Sequence, residues 1–172
     1  MTLKIDVNDL FSSEASAQYL PSKEELAQWY AQVESRLEGD FHLSVTFITP
    51  EYMQELNGTY RGKPYPTNVL SFEFQGDEDE ADYLGFTELG DLLICPPVLE
   101  KEAAEQDKPL QHHWTHICLH GLLHLLGYDH IEPDEAEQME SLEKELLATL
   151  GIPDPYRDDD PELVAQMRQQ LA

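Results

Sequence analysis

Three histidines, His120, His124 and His130, stand in the stretch HGLLHLLGYDH at residues 120–130. Their spacing is that of the three zinc ligands in the peptidase pattern H-E-x-x-H-x-x-G-x-x-H. Helical residues advance about 100° and ~1.5 Å each, so His120 and His124 share a face, about 40° and ~6 Å apart, where two imidazoles can converge on one ion. Glycine takes a left-handed backbone without penalty, so the helix can end at Gly127 and the chain can bring His130 back to the same point. Three neutral imidazoles on one zinc ion per chain leave a fourth position for water, the arrangement of a catalytic site rather than a closed structural one. Unpaired imidazoles are costly to bury, which weighs against three core histidines in a leucine-rich helix. His116 and His112 extend the face backwards and are expected to support the site or lie at the surface. Asp129 is suited either to orienting a ligand or to capping a turn.

The pattern departs from the peptidases at Gly121, which takes the place of the glutamate general base. Without that group, protonation of an amide leaving group is slow, whereas zinc still lowers the pKa of a bound water to about 7. A phosphodiester suits such a site better, because it needs a Lewis acid, an activated oxygen nucleophile and a cation to meet developing charge. Arg61 and Lys63, in LNGTYRGKPYPTNVLSF at residues 56–72, are the only basic residues between Arg36 and Lys101. On an expected glycine-flanked loop leading into a strand, Arg61 can meet a phosphoryl group in bidentate fashion as charge builds, and Lys63 can hold a phosphate.

The elements that must carry these residues can be read from the pattern. LKIDV alternates as a strand, and Ser22 with Glu25 forms a capping box before a helix with Leu26, Trp29, Tyr30, Val33 and Leu37 at helical spacing. Residues 41–49 predict a second strand, and Thr49 and Pro50 open a short helix through Leu56, closed by Gly58 and Gly62. Residues 69–74 and 90–95 predict two neighbouring strands around an acidic loop at 77–82. From Pro96 onward three helices are expected, the second carrying the histidines and the third running from Pro133 to Gly151. The fold class is α/β of the α+β type: a single small mixed sheet of about four strands, covered by helices that include the HxxxHxxxxxH helix. Residues 1–156 form one domain, and 157–172 form an acidic tail with room for one short helix.

The chain has 172 residues, with ten Lys and Arg against thirty-five Asp and Glu, a formal charge of −25. That balance opposes non-specific attraction to a polyanion and favours basic partners. Cys95 and Cys118 lie far apart in apolar surroundings, which suggests neither a metal-binding pair nor a disulfide and fits a reduced, cytoplasmic protein. Neither a signal peptide nor a membrane span is expected.

Taken together, LNGTYRGKPYPTNVLSF, LGDLLIC at 89–95 and HGLLHLLGYDH resemble the YbeY-type endoribonucleases, the rRNA maturation factors of bacteria. The likeness runs from about Leu56 to about Gly151. It implies that His120, His124 and His130 are zinc ligands and that Arg61 is a catalytically important arginine. Asn68 stands where members carry Asp or Asn. The resemblance also implies a single-strand-specific endoribonuclease that matures the 3′ end of small-subunit rRNA and serves ribosome quality control, together with small-subunit ribosomal proteins and an assembly GTPase. Two other classes stay open on the residues alone: a zinc hydrolase of other substrates with peptidase-like geometry, and a non-catalytic ribosome-assembly factor with structural zinc.

Overall fold

The structure is a computed structural model that describes residues 2–74, 85–128 and 132–156. The alternating segments form β1 (Leu3–Asp9), β2 (Phe41–Phe47), β3 (Val69–Glu73) and β4 (Thr87–Ile94). They make one sheet in the order β1-β2-β4-β3. β1 and β4 each run parallel to β2, and β3 lies antiparallel on β4 at the edge. Parallel neighbours need a crossover, and α1 (Lys23–Glu34) supplies the one between β1 and β2. The Ser22–Glu25 capping box opens α1, and its Leu26, Tyr30 and Val33 are buried. The other helices are α2 (Pro50–Arg61), α3 (Pro96–Glu105), α4 (Leu110–Leu125) and α5 (Pro133–Thr149). Among the described residues the expected mixed sheet of four strands therefore carries five helices.

The two faces of the sheet are covered unequally. Leu43, Val45, Phe47, Val69, Leu92 and Ile94 join the large core with residues of α1, α4 and α5, and Trp114 meets Phe47 edge-on at 5.5 Å. On the other face α2 sets Met53 against Ile48, Leu70 and Cys95. Its β1 side is polar, with His42 held between Asp6 at 2.6 Å and Glu88 at 2.5 Å.

One boundary differs from expectation, and it moves a site residue. α2 runs through Gly58 to Arg61 and ends at Gly62, whose φ of 68° is left-handed. A single internal glycine costs only about 1 kcal/mol, while the Thr49 cap, Pro50 in the first turn and the burial of Met53 and Asn57 carry the helix on. Arg61 is therefore the last residue of a helix and not part of a loop. β4 likewise begins at Thr87, three residues before the expected start. Cys95 and Cys118 are buried free thiols, and burial pushes Cys95 up to about 12. Among the described residues no helix is long and apolar enough to cross a membrane. Asp129, His130, the acidic loop at 77–82 and the tail at 157–172 lie outside the described residues.

Candidate metal centre

α4 is apolar on nearly every side because it lies between the sheet and α5, so its polar stripe is buried with it. His113, His116 and His120 are each at most 3% exposed. His124 is half-buried at the open end of the stripe. Ring centroids are 6.3 Å apart for His116 and His120 but only 4.7 Å for His120 and His124, at 83°. The two rings that sequence reasoning paired as ligands thus meet nearly at right angles.

Behind them stands a residue that the sequence reading did not single out. Glu143 of α5 is fully buried. His120 Nδ1–H donates to its Oε1 at 2.6 Å, while His116 Nε2–H at 3.0 Å and the Tyr156 hydroxyl at 2.5 Å donate to Oε2. Burial pushes the Glu143 carboxyl up, but the hydrogen bonds and charges of His116 and His120 outweigh it and hold the group well below the usual carboxylate range. His116 is shifted down, because burial outweighs the pull of Glu143. The outcome is a buried carboxylate held in its ionised form. Among the described residues, ligand atoms of His116, His120 and Glu143 all lie within 4.8 Å of one another, a group that could hold a metal ion. Glu143 engages Nδ1 of His120, the carboxylate–histidine arrangement found behind metal-ligating imidazoles.

Two glycines shape the rest of the helix. Gly127 has a φ of 103°, and the amides of Gly127 and Tyr128 close back on the carbonyls of His124 and Leu123, each at 3.0 Å. The chain therefore turns where the sequence placed a turn. Gly121, in the place of the peptidase glutamate, faces β4: a Cβ there would come 2.8 Å from Cδ2 of Leu92. Leu92 is itself fully buried. The glycine thus permits close packing of helix on sheet, and a longer side chain there would be directed into the core.

The motif at 56–72 divides into anchors and exposed cations. Asn57, fully buried, donates from Nδ2 to the Tyr65 carbonyl at 2.8 Å. Asn68 Nδ2 donates to both oxygens of Glu102 at 3.2 and 3.3 Å, and His113 Nε2 bonds the same carboxylate at 2.9 Å. These contacts tie the start of β3 to α3 and α4. Arg61 and Lys63 remain exposed on the α2 side of the sheet, and His112, half-exposed, stands apart from the buried stripe. Glu143 was detectable in the sequence: it lies on the buried stripe of α5 with Met139, Leu146 and Leu147. A carboxylate on such a stripe needs a buried partner.

Fold and cluster together define an α/β protein with a histidine- and carboxylate-based site suited to a metal ion. Residues 12–151 match the family described as Endoribonuclease YbeY, and the chain belongs to that family. Curated relatives named Endoribonuclease YbeY include one from Stutzerimonas stutzeri, 49% identical over 86% of this chain and 91% of its own. Another, from Pseudomonas fluorescens, is 50% identical over 85% of this chain and 94% of its own. A solution structure of a Thermotoga maritima protein matches with a TM-score of 0.54 and 25% identity, covering 93% of this chain and 98% of that one.

Proposed function

We propose that the chain is a zinc-dependent, single-strand-specific endoribonuclease acting in the maturation of small-subunit rRNA at its 3′ end and in ribosome quality control. The observation that carries this reading is the pairing of His120 and His124, with Glu143 bound behind His120, in a chain of the endoribonuclease YbeY family. His120, His124 and His130 would hold one zinc ion, a donor set that suits this metal. When bound, the ion supplies Lewis acidity toward water and phosphoryl oxygens.

The protein's own groups do the remaining work. Glu143 keeps the His120 proton on Nδ1 and fixes the ring. His116 supports Glu143, its Nε2 engaged by that carboxylate and by the Tyr156 hydroxyl at 3.2 Å. Arg61 provides a planar guanidinium for the charge that develops on the phosphoryl oxygens, and Lys63 holds a flanking phosphate. The catalytic unit comprises residues 1–156, with the tail at 157–172 outside it. At a charge of −25 the protein gains little from RNA alone. Delivery by basic small-subunit ribosomal proteins, with an assembly GTPase, in the cytoplasm answers that difficulty.

The test combines metal analysis with cleavage. Purified protein is expected to hold about one zinc per chain and to cut a single-stranded RNA oligomer, and His124→Ala is expected to lose both properties. Zinc-dependent cleavage of peptides by the wild type would overturn the assignment.

A further inference from the structure

Tyr60 lies three residues beyond buried Asn57 and seven beyond buried Met53, on the stripe of α2 that faces the sheet. Yet it is 65% exposed. Its ring meets Phe72 of edge strand β3 at 5.2 Å and 74°, and the remainder is open to solvent. Phe74, just past the end of β3, is 46% exposed, and Tyr65 is 52% exposed. Two exposed tyrosines, Tyr60 and Tyr65, thus bracket Arg61 and Lys63 along the chain.

The turn between them is fixed in place. Gly62 takes the left-handed conformation. The Lys63 amide donates to the Asn57 carbonyl at 3.2 Å, the Tyr65 amide to the Lys63 carbonyl at 2.9 Å, and Asn57 Nδ2 to the Tyr65 carbonyl. A backbone held in this way, with the Tyr60 ring seated against Phe72, gives up little entropy when a strand settles on it.

We propose that Tyr60 is a stacking platform for an unpaired RNA base, beside phosphate contacts from Arg61 and Lys63. The proposal rests on the endoribonuclease reading and adds how a strand is chosen. Every base offers an aromatic face, so stacking tolerates any sequence, but a base inside a duplex already has both faces covered. Stacking also needs no counterion release, which matters for a chain at −25 that repels phosphate.

The experiment uses the zinc-loaded full chain and a fluorescein-labelled single-stranded RNA of about 12 nucleotides, a length in the range of known single-strand sites. Anisotropy gives the Kd, and the same strand annealed to its complement is the control. Tyr60→Ala is expected to weaken single-strand binding about tenfold with an unchanged salt slope, while Tyr60→Phe stays within about twofold of wild type. Tyr60→Leu, which keeps an apolar contact on Phe72, is expected to lose as much as Tyr60→Ala. A 2-aminopurine base in the oligomer should be quenched by the wild type and less so by Tyr60→Ala. The platform is overturned if Tyr60→Ala binds like wild type while Lys63→Ala weakens binding, or if Tyr60→Phe loses as much as Tyr60→Ala. A wild type that neither binds nor cuts single-stranded RNA removes the functional reading itself.

Discussion

A fully buried carboxylate is normally costly, and Glu143 is held ionised by three donors at once, His116, His120 and Tyr156. Replacing it with an amide of the same shape turns one acceptor atom into a donor that faces other donors. Glu143→Gln is therefore expected to weaken zinc binding by about ten- to a hundredfold, the usual effect of losing a partner behind a metal-bound imidazole. Competition with a zinc chelator measures this directly. Arg61 gives the opposite signature. It is exposed at a helix end, so Arg61→Ala should change stability by less than about 0.5 kcal/mol and leave zinc content normal. RNA cleavage should nevertheless fall about a hundredfold, because a donor meeting charge in the transition state contributes ~3 kcal/mol. Arg61→Lys is expected to recover only part of the rate, since an ammonium lacks the planar fork.

At the scale of elements, the contact between α4 and β4 decides what Gly121 permits. Gly121→Ala gains about 1 kcal/mol in helix propensity and loses about 1–3 kcal/mol by pressing on buried Leu92, so a net loss of about 1 kcal/mol is expected in urea unfolding. Adding Leu92→Val should recover part of it by giving the new methyl room, and a gain in stability from Gly121→Ala alone would contradict the packing described. The elements themselves were largely legible, because alternation, the Ser22 capping box and the 3.6-residue period of the helices are local signals. Gly127 could be read for the same reason, since the left-handed turn belongs to one residue. The reach of α2 to Arg61 was not legible, because the burial of Met53 and Asn57 that carries the helix past Gly58 depends on the sheet beneath it. The stripe of α5 marks Glu143 as a buried carboxylate, but its partner was hidden for a related reason. Glu143 stands 23 residues from His120 in sequence, among many acids, and only the packing of α5 on α4 brings them together. The role of Gly121 was also hidden, for a motif gives the residue that is absent but not the direction in which its side chain would point.

For the molecule as a whole, stability depends on pH through His42, which links β1, β2 and β4. Burial pushes the imidazole down, but its bonds to Asp6 and Glu88 outweigh that and raise it above 6.5. Asp6 is lowered from 3.8 by the hydrogen bond and charge of His42. The imidazole contribution is complete below its unfolded value of about 6.5 and is lost as pH rises through the higher folded value. The Asp6 contribution is present above its unfolded value and is lost as pH falls through the lower folded one. Both act together between about pH 4 and 6.5, so the difference in Tm between wild type and His42→Gln should be largest there and should shrink in alkaline buffer. Thermal melts across pH measure it. The strand order has a further consequence, on the ribosome that synthesises the chain. β2 finds β1 as soon as α1 is made, but its other neighbour begins about 40 residues later, at Thr87. At ~5–20 residues per second that interval lasts about 2–8 s. During it, Leu43, Val45 and Phe47 lie on a strand with an unpaired edge, a template for pairing with another nascent copy. The excess of acid is already present in the residues before β4, and like charge keeps neighbouring nascent chains apart until the sheet closes.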